Sequence, residues 1–118
     1  MLTLITNGKI LTSQGWIEKG WLLMEDSHII SIGQGTTDVI ADKKIDAKGN
    51  YVLPGGIDIH VHGGGGHDFM DGTVDAFLGA AKLHASHGTA TFLPTTLTCP
   101  DEELFHSFDI LREVQKEP

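Results

Sequence analysis

Two histidines separated by one residue, His60 and His62, are the side chains in this sequence with the clearest capacity for chemistry. They stand in the stretch PGGIDIHVHGGGGHDFMDGT, residues 54–73, inside an apolar run that predicts a strand. Because side chains alternate along a strand, Asp58, His60 and His62 are expected on one face and the intervening apolar residues on the face covered by helices. Two neutral imidazoles on one face can bind one metal ion, and imidazole suits zinc, iron, nickel and copper.

The same pair has a plainer explanation as two partly buried histidines, each hydrogen-bonded to a neighbour. We favour metal ligation because two desolvated imidazoles need a shared partner. Their position agrees, since the carboxyl ends of strands are where barrels of alternating strands and helices keep their chemistry. The sequence therefore predicts His60 and His62 as ligands of a divalent metal ion, with zinc or iron favoured.

Four consecutive glycines, Gly63 to Gly66, follow the histidine pair and have several explanations. A phosphate-binding loop is disfavoured because neither the P-loop pattern nor a complete G-x-G-x-x-G pattern occurs. The H-G-G-G oxyanion loop of esterases needs a G-x-S-x-G nucleophile motif, which these residues lack but a part of the protein downstream of them could hold. A flexible connector remains possible. We favour a steric role, in which Gly63 and Gly64 let a substrate approach the metal, and predict both as substrate-binding residues.

Other polar residues carry weaker signals. His67 and Asp68 could touch a substrate, although their place in a loop favours a turn. Thr95 and Thr96 end a second predicted strand and could border the same pocket. The remaining candidates are interpreted as structural or surface residues: His84 and His87 near a helix end, the thiol Cys99, the surface residues His28 and His106, and the core aromatic residues Trp16, Trp21 and Phe92.

Residues 1–53 have the pattern of β structure. Alternating segments predict strands at residues 1–6, 9–13, 16–26 and 28–35, and Asn7-Gly8 predicts a hairpin turn. Further short strands are expected near residues 39–40, 44–45 and 51–53. Several short strands at this spacing predict part of a small β-sandwich.

Residues 54–118 change to a strand, helix, strand, helix pattern. Thr73 is a predicted N-cap and Gly88 a predicted helix end, and Pro100 opens the second helix. The second strand, TATFLPTT, is apolar enough to predict burial on both faces. The predicted buried faces are Val74, Phe77, Leu78, Ala81 and Ala85 in the first helix, and Leu104, Phe105, Phe108 and Leu111 in the second. The fold class is therefore α/β with a β-sandwich part, ending in the first two β/α units of a truncated (β/α)8 barrel.

The composition of the chain argues against several classes of partner and location. The chain has 118 residues, a formal net charge of −8 and a single cysteine. The acidic balance argues against nucleic acid or an anionic membrane as partner. No apolar run approaches the roughly 20 residues of a membrane span, and the N-terminus lacks the features of a signal peptide. We expect a cytoplasmic protein that forms a homo-oligomer, and a chain that is the front part of a longer one.

The stretch LPGGIDIHVHG resembles the P-G-x-I-D-x-H-x-H-G signature of the amidohydrolase superfamily, whose members carry a small β-sandwich beside a metal-bearing (β/α)8 barrel. Within it, HVHGGGGHDFMDGT followed by HGTATFLPTTLT is similar to the N-acetylglucosamine-6-phosphate deacetylase family, as is the opening LITNGKILT. The resemblance spans nearly the whole chain but only the first third of such an enzyme. Some members of that family replace the histidine pair, whereas this sequence keeps both.

The resemblance implies metal-dependent removal of the acetyl group from a phosphorylated amino sugar, N-acetylglucosamine 6-phosphate. It implies that the catalytic Asp, a Glu ligand and two further His ligands lie beyond Pro118, so that no catalytic residue is expected in this chain and the chain alone is inactive. The alternatives are another amidohydrolase, such as a cyclic-amide hydrolase or a deaminase, and a non-catalytic metal-binding module.

Overall fold

The computed structural model describes residues 1–116, which are mostly strands with two α-helices. They form two compact units, Met1–Pro54 and a second that begins at Gly55. The first unit contains five strands: β1 Leu2–Thr12, β2 Gly15–Glu25, β3 His28–Gln34, β4 Lys43–Asp46 and β5 Tyr51–Val52.

The first unit is built on one sheet in the order β3-β2-β1-β4, with β5 pairing a different part of β1. β1, β2 and β3 are antiparallel, whereas β4 and β5 run parallel to β1. The central strands β1 and β2 supply the buried apolar residues Leu4, Ile10, Leu22 and Leu23. The segment MLTLIT alternates, whereas Leu22 and Leu23 are adjacent and both buried, so β2 is covered on both faces at that point.

The hairpin predicted at Asn7-Gly8 is wrong, because β1 runs through these residues without reversing. Asn7 has a φ of 54° and the β1–β2 register shifts on both sides of Gly8, so the pair forms a bulge. Lys19, with a φ of 49°, is the extra residue on the β2 side of the same irregularity. Asn and Gly readily adopt the left-handed backbone conformation that a hairpin turn needs, and a bulge can require the same conformation.

Two further expectations for the first unit are also corrected. Residues 39 and 40 belong to no strand, and Ile40 is almost fully exposed. Trp16 is 47% exposed and packs edge-on against Tyr51 at a ring-centroid distance of 5.4 Å, so it is a surface residue rather than a core one.

The second unit contains strands β6 Gly56–Val61, β7 Gly63–Gly64, β8 His67–Asp68 and β9 Thr89–Pro94, and helices α1 Val74–Ser86 and α2 Asp101–Val114. A short 3-10 helix, Phe69–Asp71, precedes α1. β6 and β9 pair in parallel and are joined through α1, the connection that parallel strands require. Among residues 1–116, no helix has the length and apolar character needed to cross a membrane.

The predicted starts of both helices and the predicted end of α1 are confirmed, whereas α2 ends at Val114, before the end of the segment predicted as helical. The Thr73 hydroxyl accepts a hydrogen bond from the Ala76 N–H at 3.2 Å, which caps α1. The helix ends at Ser86, just before His87 and Gly88. Pro100 occupies the N-cap position of α2, followed by three acidic residues that favour the positive end of the helix.

The core of the second unit lies where both helices meet the end of β6. It consists of Val61, Phe69, Phe77, Ala80 and Ile110, with Phe92 packed against it. The predicted buried face of α1 is partly wrong, since Ala76 and Ala80 are buried beside Phe77 while Leu78 is exposed. Small residues on that side let neighbouring backbone come close, which an apolar stripe alone does not reveal.

The remaining predicted apolar faces of the second unit are exposed in part, while Leu111 of α2 and Phe92 of β9 pack against the core. In α2, Ser107 and Ile110 are buried instead of Phe105 and Phe108, of which Phe105 is 60% exposed. Ile57 and Ile59 of β6 are 72% and 73% exposed, and β9 is not buried on both faces. The helices of the described chain cover only the Val61 end of β6, so the rest of its apolar face has no cover from α1 or α2.

Candidate metal centre

The imidazoles of His60 and His62 converge at the carboxyl end of β6. Their Nε2 atoms lie 3.3 Å apart, and their ring planes are inclined at 61°. His60 is exposed and His62 is half-buried. The expected placement of both rings on one side of the strand is therefore confirmed, and it follows from the two-residue repeat of an extended backbone.

The other ring nitrogen of His62 is held by the neighbouring strand end. His62 Nδ1 lies 3.1 Å from the carbonyl oxygen of Thr95, which can only accept, so Nδ1 carries the hydrogen. A neutral His62 therefore presents a bare Nε2 lone pair, the form in which histidine binds a metal. Histidine ligands characteristically donate their second nitrogen to a carbonyl or carboxylate in this way.

The separation of the two Nε2 atoms fits a shared metal ion. Two nitrogen ligands at about 2.0–2.1 Å from a tetrahedral ion are separated by about 3.3–3.4 Å. The separation in the structure is 3.3 Å, close to this value without any rearrangement of the rings. The donor set of two imidazoles suits zinc or iron but does not distinguish between them.

The two histidines alone would not enclose a metal ion. Within the described residues, no third His, Cys, Asp or Glu joins a group that could enclose an ion. Asp58, expected on the same face, accepts a hydrogen bond from the His60 backbone N–H at 3.1 Å through Oδ1. A complete metal site would therefore need donors from outside residues 1–116.

The glycines after His62 form a tight hairpin instead of an open loop. β7 and β8 pair through Gly63 with Asp68 and Gly64 with His67. Gly65 and Gly66, with φ values of 65° and 83°, supply the left-handed backbone of the turn between them. The nearest neighbours of Gly63 and Gly64 are the chain's own His67, Leu83 and His84. Their role in binding a substrate stays a prediction.

Most of the weaker candidate site residues make contacts with backbone groups. Asp68 accepts a hydrogen bond from the Met70 N–H at 2.7 Å and caps the 3-10 helix, and the His67 ring packs against Gly79. His106 Nε2 donates to the Gly72 carbonyl at 3.0 Å. His87 Nδ1 lies 3.0 Å from the Leu83 carbonyl at the end of its own helix. These contacts agree with the structural roles predicted for them.

Thr95 has a larger role than the sequence indicated. Its hydroxyl accepts a hydrogen bond from the Val61 N–H at 3.1 Å, and its own N–H donates to the Val61 carbonyl at 2.8 Å. Thr95 therefore extends the pairing of β6 with β9 to the residue beside His62. The signal for this role was its position at the end of the second predicted strand.

Comparison with known proteins gives relatives that are longer than this chain. The human N-acetylglucosamine-6-phosphate deacetylase is 31% identical over 102 residues, which cover 84% of this chain and 24% of the human protein. The D-hydantoinase of Ralstonia pickettii is 38% identical over 90 residues, which cover 76% of this chain and 19% of the relative. The chain thus spans about a quarter or less of the length of these relatives. A search of protein-family models found no match.

Solved structures share the fold of the chain. The N-acetylglucosamine-6-phosphate deacetylase of Pasteurella multocida superposes with a TM-score of 0.91 at 28% identity, covering 100% of this chain and 31% of that one. A D267A mutant of the Mycobacterium smegmatis deacetylase, solved in complex with N-acetyl-D-glucosamine-6-phosphate, superposes with a TM-score of 0.80 at 30% identity, covering 97% of this chain and 30% of that one. In both cases the match is to one part of a larger chain.

Proposed function

We propose that this chain, a homologue of the N-terminal part of N-acetylglucosamine-6-phosphate deacetylases, contributes two metal ligands to a hydrolase of that kind. Its relatives are amidohydrolases, which act on C–N amide bonds. The proposed reaction removes the acetyl group from N-acetylglucosamine 6-phosphate and gives glucosamine 6-phosphate and acetate. The second unit is then the beginning of a (β/α)8 barrel, and the proposed setting is a cytoplasmic homo-oligomer.

The observation that carries the proposal is the geometry of the histidine pair. The two Nε2 atoms are 3.3 Å apart, and His62 Nδ1 donates to the Thr95 carbonyl. A pair that binds one ion needs both features. The same contact between the rings is compatible with a hydrogen bond from the His60 Nε2–H to His62 Nε2, and we prefer ligation because the pair ends a strand in a chain whose relatives are amidohydrolases.

In this proposal His60 and His62 hold the metal ion, and Thr95 orients the His62 ring. A divalent ion bound there would lower the pKa of a water molecule and polarise the amide carbonyl. Gly63 and Gly64, which lack side chains, would leave room for the acetamido group beside the ligands. The resemblance implies that the Asp that moves the proton, together with the other ligands, lies beyond Pro118.

Hydrolysis of a cyclic amide is the second candidate reaction. The observation in its favour is the D-hydantoinase relative, whose identity of 38% exceeds the 31% of the human deacetylase. The structural likeness points the other way, because a D-hydantoinase structure superposes with a TM-score of 0.61 against 0.91 for the Pasteurella multocida deacetylase. We therefore prefer deacetylation.

A metal-binding measurement tests the ligand assignment. The chain and its His60→Ala and His62→Ala variants are equilibrated with Co²⁺, dialysed, and analysed for bound metal. Each variant is expected to bind less metal than the parent chain, whereas His28→Ala, an exposed histidine of the first unit, is expected to match the parent. Equal stoichiometry in the parent and both variants would reject His60 and His62 as ligands.

Exchange of segments tests the reaction. Residues 1–116 replace the corresponding segment of the Pasteurella multocida deacetylase and, separately, of the Ralstonia pickettii D-hydantoinase. Deacetylation by the first chimera, with no ring opening by the second, is the expected result. The reverse pattern would favour the cyclic-amide hydrolase. The deacetylase chimera carrying His60→Ala and His62→Ala is the matched control and is expected to be inactive.

A further inference from the structure

A third histidine, His84, binds the residue that directly follows the histidine pair. Its Nε2 atom lies 2.9 Å from the Gly63 carbonyl oxygen, in a partly buried contact. A carbonyl oxygen only accepts, so the His84 Nε2–H donates. The His84 ring also packs beside Phe92, with ring centroids 5.9 Å apart, which limits its rotation. The donor is therefore held in place by α1 on one side and by β9 on the other.

The contact between α1 and the glycine hairpin leaves little free space. A Cβ atom added to Gly64 would lie 2.9 Å from both His84 Nε2 and Leu83 Cδ2. On the other side of the hairpin, a Cβ atom added to Gly79 would collide with the His67 ring. Close packing of this kind fixes the distance from the hairpin to the helix, and His84 fixes the orientation of the Gly63 peptide.

His62 consequently lies between two fixed peptide groups. On its N-terminal side, Val61 exchanges hydrogen bonds with the backbone and hydroxyl of Thr95. On its C-terminal side, Gly63 is bound by His84, and the His62 carbonyl itself accepts from the Phe69 N–H at 2.9 Å. The pairing of β7 with β8 also holds Gly63, so the hydrogen bond from His84 is an additional restraint on a peptide that has no side chain to anchor it.

We propose that His84 is a positioning residue for the metal centre: its hydrogen bond to Gly63 fixes the backbone beside His62 and so preorganises the His62 ring for metal binding. This inference rests on the proposed ligand role of His60 and His62. His84 does not contact the ion in this arrangement. Without this hydrogen bond the Gly63 peptide keeps only the restraint of the β7–β8 pairing, so the backbone beside His62 is less ordered and metal binding is weaker.

Three substitutions separate the donated hydrogen bond from the other properties of the ring. His84→Gln puts an amide N–H about where the imidazole Nε2–H lies, His84→Asn is too short to reach Gly63, and His84→Leu has no donor. His87→Leu is the matched control, because His87 is on the same chain segment but its ring contacts the Leu83 carbonyl and the Ser86 hydroxyl instead of the hairpin. Co²⁺ is the probe, and its affinity and visible absorption spectrum are measured for the parent chain and each variant.

We expect the Asn and Leu variants to bind Co²⁺ about tenfold more weakly, the range in which loss of a supporting contact acts on metal affinity. The Gln and His87→Leu variants are expected to bind as the parent does, with the same absorption spectrum. Rescue by Gln also excludes direct ligation by His84, because a carboxamide is a poor replacement for an imidazole ligand. Parent-like affinity in the Asn variant, or weak binding in the Gln variant, would overturn the inference.

Failure of this inference can be told from failure of the proposed function. If His60→Ala and His62→Ala weaken Co²⁺ binding while His84→Asn does not, only the inference about His84 is wrong. If none of the three weakens binding, the ligand assignment itself is wrong. Should the variants not fold, the nitrogen NMR spectrum of the parent chain decides, since a His84 ring without a hydrogen on Nε2 contradicts the hydrogen bond to Gly63.

Discussion

The carbonyl oxygen of Thr95 accepts a hydrogen bond from His62 Nδ1 at 3.1 Å, so the end of one strand determines which nitrogen of the neighbouring histidine is free. The same threonine binds Val61 through its hydroxyl and its N–H. One residue therefore controls the tautomer, the ring orientation and the strand register next to the histidine pair. Substitutions at Thr95 are therefore expected to change both the stability of the fold and the proposed metal binding.

Thr95→Val removes the hydroxyl but keeps the shape of the side chain. The Val61 N–H then loses its acceptor, and we expect the free energy of unfolding to fall by about 1–2 kcal/mol. Metal affinity is expected to fall as well, because Val61 directly precedes His62. Urea denaturation and Co²⁺ titration measure the two effects. Thr95→Ser keeps the hydroxyl and is expected to resemble the parent, as is Thr98→Val at an exposed site. A Thr95→Val chain with parental stability would contradict this role.

Gly63→Ala tests the close packing of the hairpin. The added Cβ would collide with the His67 carbonyl oxygen, which belongs to backbone and cannot turn away. We expect the free energy of unfolding to fall by about 1–3 kcal/mol, the cost of overpacking. Gly56→Ala is the control, since its Cβ would lie 3.7 Å from the nearest atom, the Gly88 carbonyl oxygen, at ordinary contact distance. Thermal or urea unfolding of both variants gives the comparison, and equal stability would refute the packing argument.

The carboxylate of Asp46 makes the stability of the first unit depend on pH. The Lys48 N–H donates to Asp46 Oδ1 at 2.8 Å and, together with the Asn7 side-chain amide, holds the pKa of Asp46 below its ordinary value. A lowered pKa means that this stabilisation is present above the unfolded pKa of about 3.9 and is lost as the pH falls through the folded value.

We therefore expect Asp46→Ala to lower the urea midpoint at pH 7 and at pH 5, with a difference from the parent that shrinks below about pH 4. Unfolding curves at several pH values measure it. Asp38→Ala, at an exposed position outside the strands, serves as the control. A stability difference that grows as the pH falls would show that the carboxylate is not the stabilising form.

The 118-residue chain by itself is expected to release no acetate from N-acetylglucosamine 6-phosphate. The described residues bring together the two proposed metal ligands, and the resemblance to deacetylases implies that the catalytic Asp is outside this chain. The measurement is product formation by the pure chain after loading with Zn²⁺, beside an intact deacetylase treated in the same way. Turnover by the pure chain would show that its own residues are sufficient for catalysis.

Local patterns in the sequence predicted much of the second unit. The alternation around His60 and His62 placed both rings on one side, and Thr73 and Pro100 marked the starts of the two helices. These features depend on neighbours within a few residues. The bond from His62 to Thr95 joins residues 33 apart and follows from strand pairing, which no local pattern contains.

The predictions that were wrong also depended on contacts between residues distant in the sequence. The apolar residues Ile57 and Phe105 were predicted to be buried, but both are exposed. A pattern of apolar residues does not show whether other segments of the same chain pack against them. Asn7-Gly8 reveals a left-handed backbone, and only the partner strand decides between a turn and a bulge. The four glycines after His62 predict only that the backbone can adopt unusual conformations there. The hairpin that they form and its contact with His84 depend on the position of α1, which the local sequence does not contain.

The bulges at Asn7 and Lys19 have a consequence for how the first sheet tolerates changes in chain length. The extra residue of β1 is offset by an extra residue of β2, so the pairing of Leu2 with Glu25 and of Thr12 with Gly15 keeps one common alignment on both sides of the irregularity. Removing the extra residue of one strand would leave the flanking residues paired as they are, with a single bulge on the other strand, because each bulge accommodates one unpaired residue. Removing both would give an uninterrupted ladder, so each strand can lose its own extra residue without moving the flanking side chains to the other face of the sheet.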